Sequence, residues 1–242
     1  MCEGRVAIVT GAAGSGMGRS IALTLAREGA KVVVNYRKSE EAAKVIVDCI
    51  ESQGGIAVKV QADVFEAEDC KRLVDAGVER FGQIDICVIG PGAGWHPESV
   101  DRLDPSAALD DVRQEVAPVY QMMPLVLPGM YERRWGRVIA LALSPPYGSP
   151  SYSYNVGKAA RVYALQLARD MAWRNCVTLN LIGPGAVPEI GTLDEAVEQR
   201  DHGPAWRSRT TASPQDIAEG VAFLCSEAAR FISGCVLTYM MA

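Results

Sequence analysis

The residues of this sequence best suited to chemistry are Tyr154 and Lys158, which lie four positions apart. They stand near the start of an apolar-periodic segment that predicts a helix from Tyr152 to about Met171. Positions i and i+4 share one helix face, so we expect the phenol and the ammonium side by side. An adjacent ammonium favours the phenolate and lowers a tyrosine pKa toward working pH, which predicts a general acid/base. An exposed helical pair without chemistry is the alternative that this spacing leaves open.

Composition narrows the class of protein. The chain has 242 residues, of which 49% are hydrophobic and 22% charged, enough for one large α/β domain over residues 1–242. The net charge of −5, without a basic run, argues against a nucleic-acid surface. No apolar run approaches the about 20 residues of a membrane span, and the N-terminus leads into a strand rather than a signal sequence. We therefore expect a cytoplasmic protein without a membrane segment.

The cysteines and histidines predict neither disulfides nor a metal site. The seven cysteines are scattered and form no C-x-x-C pair, so we interpret them as small buried hydrophobic residues. The only two histidines, His96 and His202, are too far apart in sequence for metal-ligand spacing.

Short β-branched runs alternate with helical patterns along the chain. Strands are predicted at residues 5–10, 31–35, 56–61, 84–89, 137–143, 177–181 and 236–239. Helices are predicted at 16–28, from Ser39 as N-cap to 53, at 67–81, 110–133 and 152–171, and after the cap Ser213; three prolines make the 110–133 helix doubtful or kinked. Strands separated by single helices predict a Rossmann-type doubly wound parallel sheet of about seven strands.

A glycine-rich turn joins the first strand to the first helix. It contains Gly11, Gly14, Gly16 and Gly18, and glycines there let backbone N–H groups approach a pyrophosphate at the positive end of a helix. The turn therefore predicts dinucleotide binding. The alternative is a turn that only packs strand against helix.

In this order and spacing, the motifs resemble the short-chain dehydrogenase/reductase family along essentially the whole chain, and most of all its 3-oxoacyl carrier-protein reductase-like branch. The matching pieces are Thr10-Gly11 with Gly16-Met17-Gly18, Asp63-Val64, Tyr154-x-x-x-Lys158 and Asn180-Leu181-Ile182-Gly183-Pro184-Gly185. The resemblance implies hydride transfer between a nicotinamide and a carbonyl or alcohol carbon. Tyr154 would transfer the oxygen's proton, and Lys158 would also hold the nicotinamide ribose.

The resemblance also assigns the remaining site residues. A serine after the fifth strand should hydrogen-bond the substrate oxygen; Ser144 is the candidate, with a plain turn as the alternative and Ser149, Ser151 and Ser153 as fallback donors. Cofactor binding is assigned to Gly11, Ser15, Gly16, Met17, Gly18, Arg37, Lys38, Asp63, Val64, Gly90, Gly92, Tyr154, Lys158, Pro184 and Gly185.

Cofactor choice depends on the residues after the second strand. NAD enzymes of this kind place an acid there for the ribose 2′-hydroxyl, whereas this chain has Arg37 and Lys38. Two cations suit a 2′-phosphate, so NADP is the predicted cofactor, with NAD possible and a solvated basic turn as the alternative.

Several residues depart from the family pattern. The Asn-Asn-Ala-Gly segment appears as Ile89-Gly90-Pro91-Gly92, and Glu115 stands where the family has a helix asparagine that supports a water-linked proton path to the lysine. A glutamate there could hold a water or pair with Lys158, but we favour a surface carboxylate. The departures leave a redox-inactive nucleotide-binding protein as an alternative. A dehalogenase-like lyase ranks below it, because that variant has arginine at the position of Lys158.

Two further expectations concern loops and assembly. The polar segment 186–212 occupies the place of the substrate lid and is predicted as a loop, and Trp95 as a packed loop residue. Two helix surfaces look too apolar to face water, which predicts a homodimer or, by resemblance, a homotetramer. Their residues are Val116, Val119, Tyr120 and Met123 on one helix and Val162, Tyr163, Leu165 and Gln166 on the other.

Overall fold

A parallel β-sheet forms the centre of the molecule in a computed structural model that describes residues 1–143, 151–205 and 207–239. Within these ranges its strands are β1 (Val6–Val9), β2 (Lys31–Tyr36), β3 (Ile56–Gln61), β4 (Ile86–Ile89), β5 (Gly136–Leu141), β6 (Val177–Gly183) and β7 (Val236–Thr238). All neighbouring pairs are parallel, in the order β3-β2-β1-β4-β5-β6-β7. The predicted Rossmann-type doubly wound sheet is confirmed.

Helices cover both faces of the sheet. They are α1 (Met17–Arg27), α2 (Glu40–Ser52), α3 (Ala67–Phe81), α4 (Pro105–Glu132), α5 (Tyr152–Arg174), α6 (Leu193–His202) and α7 (Pro214–Cys225). Buried side chains of α1, α2, α6 and α7 form one core layer, and those of α3, α4 and α5 form the other. Strands covered on both faces need continuous apolar runs, as in Val32-Val33-Val34.

The helix α4 is longer than predicted. It begins at Pro105, with Asp104 as N-cap accepting a 2.8 Å hydrogen bond from the Ala107 amide, so the predicted start at residue 110 is wrong. Asp followed by Pro is a recognisable start signal. The helix also continues through Pro118, Pro124 and Pro128. Residue 115 therefore lies within one continuous helix, at a position that packs against α5.

The segment 186–212 was predicted as a loop, but it contains the helix α6, so this prediction is wrong. Thr192 caps this helix by accepting a 3.1 Å hydrogen bond from the Glu195 amide, and Ala196 is buried against the core layer of α1. Ser39 occupies the N-cap position of α2, but its side chain makes no capping hydrogen bond. The short periodic stretch around Ala196 was the available signal for α6.

The cysteines are all unpaired, but they are not all buried. Cys176 is exposed, and Cys49 and Cys235 are half-buried, so the prediction of buried residues is wrong for these three. In the part of the chain that the structure describes, no group of three His, Cys, Asp or Glu side chains is arranged to hold a metal ion. None of the helices within those ranges has the length and apolar character needed to cross a membrane.

Candidate active site

The predicted site residues follow the carboxyl ends of neighbouring strands. Residues 10–18 follow β1, Arg37 and Lys38 follow β2, Asp63 and Val64 follow β3, Gly90 and Gly92 follow β4, and Pro184 and Gly185 follow β6. Because the strands are parallel, all of these residues lie at one edge of the sheet. The strand order reverses between β1 and β4, which is where open α/β sheets form a ligand crevice.

Hydrogen bonds fix the glycine-rich turn to β4 and β2, and link β2 to the chain that follows β3. The Thr10 hydroxyl donates to the Val88 carbonyl at 3.0 Å and accepts from the Gly90 amide at 2.9 Å. The Gly11 amide donates to Asn35 Oδ1 at 3.0 Å, and Asn35 Nδ2 donates to the Ala62 carbonyl at 3.0 Å. Sequence reasoning missed this role of Asn35, although a polar residue within a buried valine strand was a signal for it.

The turn also brings the start of α1 against the end of β1. Gly11 has φ 65°, in the left-handed region, and a Cβ on Gly18 would lie 2.5 Å from the Gly11 carbonyl oxygen. Only glycine permits this approach. The positive end of α1, with Gly16 as N-cap and Met17 as first residue, therefore lies at the crevice, which suits a pyrophosphate.

The chain after β6 contacts the same turn. The Ser15 hydroxyl donates to Glu189 Oε2 at 2.6 Å, and the Ile190 amide donates to the Ser15 carbonyl at 2.9 Å. Ser15 was predicted to bind the cofactor, and here its hydroxyl binds a carboxylate. Sequence reasoning missed Glu189, because only the fold brings residue 189 to residue 15.

Tyr154 and Lys158 lie together on α5, with the ammonium nitrogen 5.2 Å from the centroid of the phenol ring. Burial and the Glu115 carboxylate raise the pKa of Tyr154 to about 12, opposed by Arg161. The predicted lowering of this pKa is therefore wrong. Burial and Arg161 lower the pKa of Lys158 to about 8, opposed by Glu115.

The Glu115 carboxylate is completely buried beside these groups. Its Oε2 lies 3.1 Å from Lys158 Nζ and 3.5 Å from Arg161 Nη2, so the favoured surface interpretation is wrong. A Cβ on Gly92 would lie 2.3 Å from Oε2, and one on Gly157 would lie 2.7 Å from Glu115 Cβ. The space for Glu115 depends on these two glycines.

Arg161 is a site residue that the sequence analysis missed. Its buried guanidinium donates to the Glu115 carbonyl and the Leu141 carbonyl, each at 2.8 Å. It also donates to the Gly90 carbonyl at 3.2 Å and to the Pro91 carbonyl. Its position three residues after Lys158, on the same helix face, was the available signal.

The serines before and within α5 are engaged with the loop after β4. The Ser151 hydroxyl donates to the His96 carbonyl at 2.5 Å, and the Ser153 hydroxyl lies 3.0 Å from Asp111 Oδ2 and contacts Glu98. Both fallback donors are therefore already bonded. Ser144 and Ser149 lie outside the described residues. The prediction of a packed tryptophan is wrong, since Trp95 is 55% exposed.

The cationic residues after β2 remain near the surface. Arg37 Nη1 lies 3.7 Å from Asp63 Oδ2, and Asp63 Oδ1 accepts a 3.1 Å hydrogen bond from the Phe65 amide. Lys38 is exposed, and Val64 is buried below them. A half-exposed ion pair at this distance contributes little free energy, so Arg37 can exchange Asp63 for a ligand anion at small cost.

A glycine-rich turn at the switch point of a doubly wound sheet, together with a tyrosine–lysine pair on α5, is typical of nicotinamide-dependent oxidoreductases. A family model described as enoyl-(acyl carrier protein) reductase matches residues 11–239. The 7α-hydroxysteroid dehydrogenase of Escherichia coli K12 is 32% identical over 248 residues, covering 98% of this chain and 92% of that protein. The 3-oxoacyl-[acyl-carrier-protein] reductase FabG of Staphylococcus aureus Mu50 is 33% identical over 235 residues, covering 94% and 93%.

A solved structure shares the fold. The 7α-hydroxysteroid dehydrogenase complexed with NADH and 7-oxo glycochenodeoxycholic acid has a TM-score of 0.82 and 30% identity, covering 99% of this chain and 94% of that one. The chain belongs to the short-chain dehydrogenase/reductase family and resembles its 3-oxoacyl carrier-protein reductase members. It is an oxidoreductase that acts on CH–OH or carbonyl groups, and the prediction of an enzyme is confirmed.

Proposed function

We propose that the protein is an NADP-dependent carbonyl reductase in which Tyr154 protonates the substrate oxygen. The observation that carries this proposal is the Tyr154–Lys158 pair on α5, in a chain whose glycine-rich turn lies at the switch point of the sheet. Relatives support a nicotinamide cofactor, since the solved hydroxysteroid dehydrogenase holds NADH. When bound, the cofactor supplies the hydride that the carbonyl carbon receives.

The protonation states favour reduction. A pKa of about 12 keeps Tyr154 as the neutral phenol at neutral pH, the form that can give a proton to a carbonyl oxygen. Lys158 stands beside the ring, where its ammonium offsets the negative charge left on the phenol oxygen. Lys158 would also hold the nicotinamide ribose, and Ser144 would orient the carbonyl oxygen.

The residues of the crevice fit a phosphorylated dinucleotide. The α1 N-terminus and the glycine turn suit the pyrophosphate, since a side chain at Gly18 would fill the close approach that they form. The remaining contacts would come from Asp63, Val64, Gly90, Gly92, Pro184 and Gly185. Arg37 and Lys38 carry the NADP preference, because no acid stands at these two positions after β2.

The substrate is a small molecule with a carbonyl or hydroxyl group. We propose that segment 186–212, including α6, forms the lid over the substrate. The whole chain, residues 1–242, would form one domain. The named relatives act on steroids and on 3-oxoacyl groups. A panel of ketones and β-ketoacyl thioesters therefore covers the chemistry to be tested. The proposed compartment is the cytoplasm, whose reducing conditions suit unpaired cysteines.

We also propose a homodimer or homotetramer that pairs α4 and α5 with copies from another subunit. Tyr120 is 66% exposed and Tyr163 is 62% exposed on these helices. Tyr120 lines an apolar groove with Met123, Leu127 and other residues. Leu165, predicted on this surface, instead packs in the chain's own core, whereas Val119 and Met123 belong to that core and also line the groove. The groove and the two tyrosines remain as the contact surface.

The change Tyr154→Phe tests the proton donor, because it deletes one hydroxyl and keeps the ring. NADPH oxidation should fall by about 10²–10⁴, the usual cost of losing a positioned acid, with NADPH affinity nearly unchanged. Tyr152→Phe is the matched control, since Tyr152 is exposed on the same helix and should keep full turnover. If wild type binds NADPH but reduces nothing in the panel, and Tyr154→Phe matches it in every assay, the protein is a redox-inactive binder instead.

A further inference from the structure

Three charged side chains meet in the interior behind Tyr154. Lys158, Glu115 and Arg161 are all buried, and both cations approach the same carboxylate oxygen, Glu115 Oε2. Removing one partner of a buried ion pair leaves a charge without compensation, which is strongly destabilising. The three side chains therefore have to be considered as one unit.

The unit raises a difficulty for catalysis. If Glu115 paired with Lys158 alone, the carboxylate would cancel the ammonium charge that the proposed mechanism needs next to Tyr154. In this structure two cations face one carboxylate, so a positive charge remains. Arg161 supplies the second cation, and with it the positive charge that remains.

We propose that Arg161 is a positioning residue that shares Glu115 with Lys158, so that the Lys158 ammonium keeps its effect on Tyr154. This inference rests on the proposed roles of Tyr154 and Lys158. It assigns Arg161 no contact with substrate, because its N–H groups are directed to the chain itself.

The hydrogen bonds of Arg161 fix its place. Nε binds the Glu115 carbonyl of α4, Nη1 binds the Leu141 carbonyl at the end of β5 and the Gly90 carbonyl after β4, and Nη2 binds the Pro91 carbonyl. One guanidinium on α5 thus joins α4 and two strand ends. A lysine has three donors on a flexible stem and cannot reproduce this fork of contacts.

The residues around Glu115 leave space for its side chain. Gly92 and Gly157 provide the space that its side chain fills. Within the described residues neither oxygen has a hydrogen-bond partner, and the charge is balanced by the ion pairs of Oε2 with Lys158 and Arg161. At the position where the resemblance expects an asparagine, the chain therefore has a carboxylate in direct contact with Lys158.

Glu115 and Arg161 shift the pKa values of Lys158 and Tyr154 in opposite directions. Glu115 of α4 and Arg161 of α5 are the charged groups that act on Lys158, and Tyr154 is the titratable group beside it. Arg161 lowers the pKa values of both Lys158 and Tyr154, whereas Glu115 raises both. Loss of the Arg161 charge should therefore raise both pKa values, and loss of the Glu115 charge should lower both.

Carbon-13 NMR titration of protein labelled at the lysine ε-carbon tests this directly, with the Lys158 signal assigned by its absence in Lys158→Met. The Lys158 pKa should move up in Arg161→Leu, move down in Glu115→Gln, and stay close to wild type in Arg161→Lys. Arg161→Lys should nevertheless lower Tm, because it loses backbone hydrogen bonds while it keeps the charge. If Arg161→Leu does not fold, Arg161→Lys and Glu115→Gln still give the comparison.

An unchanged Lys158 titration in every folded variant would overturn the proposal and leave Arg161 with a purely structural role. Where turnover is present, the pH profile of kcat should move in the same direction as the NMR titration, with KM nearly constant. The NMR result needs no substrate. Suppose that the Lys158 pKa rises in Arg161→Leu and falls in Glu115→Gln, while the protein reduces no substrate. That outcome would uphold the charge sharing and refute the reductase proposal.

Discussion

Replacement of Glu189 by glutamine should increase the affinity for NADPH. In the structure the Ser15 hydroxyl donates to Glu189 Oε2 at 2.6 Å, so it is not available to a phosphate oxygen. Glu189 also brings a negative charge to the turn where the pyrophosphate is expected. Nucleotide binding must break this hydrogen bond or tolerate the charge.

The magnitude follows from the kind of hydrogen bond involved. A hydrogen bond to a charged group contributes about 1.5–3 kcal/mol, against about 0.5–1.5 kcal/mol for a neutral one. Glu189→Gln therefore weakens the Ser15 contact by about 1 kcal/mol and also removes the charge repulsion, which is small because Glu189 is exposed. Since about 1.4 kcal/mol is tenfold in affinity, Kd should fall about fivefold to tenfold.

Titration of intrinsic tryptophan fluorescence with NADPH measures this Kd. Glu198→Gln is the matched control, because it removes the same charge from an exposed position on α6, where Glu198 contacts only His202 at 3.7 Å within the described residues. The gain for Glu189→Gln should shrink at high salt, and the control should bind as wild type does. Equal affinity of wild type and Glu189→Gln at low salt would refute the role of Glu189.

Two further predictions concern cofactor choice and assembly. Arg37→Ala/Lys38→Ala should weaken NADPH binding by about tenfold to a hundredfold, because the loss of one charge-assisted phosphate contact costs about 1.5–3 kcal/mol. NADH binding should stay nearly unchanged. Equal wild-type affinities for the two cofactors would argue against NADP. Light scattering at micromolar concentration should show a dimer or tetramer, and Tyr120→Glu/Tyr163→Glu should shift it toward monomer, because two charges would be buried in the contact; a monomeric wild type would contradict the assembly.

The sequence predicted the elements that local patterns specify. The valine run of β2 predicts a buried strand, because a strand covered on both faces must be apolar throughout. The turn from Gly11 to Gly18 predicts a close approach of β1 and α1, because only glycine fits there. The spacing of Tyr154 and Lys158 likewise predicted their proximity, because helical geometry is local. These features made the fold and the position of the site predictable.

The pKa of Tyr154 was not predictable in the same way. Its sign depends on burial and on Glu115, which is carried by another helix and reaches the site only through the packing of α4 on α5. The role of Arg161 depends on carbonyls of Gly90 and Leu141 that come together only in the folded sheet. Glu189 is likewise separated from Ser15 by most of the chain. Long-range contacts thus decide the electrostatics of the site.

The shared carboxylate has a consequence for how this site can change by mutation. An asparagine at position 115 would leave Arg161 as a buried charge without its counter-ion, and loss of Arg161 alone would leave four backbone carbonyls without their donor. Breaking such a buried pair costs about 3–5 kcal/mol, a large part of the stability of a typical domain. Each single exchange therefore lowers stability, and a return to the family asparagine costs least when both positions change together.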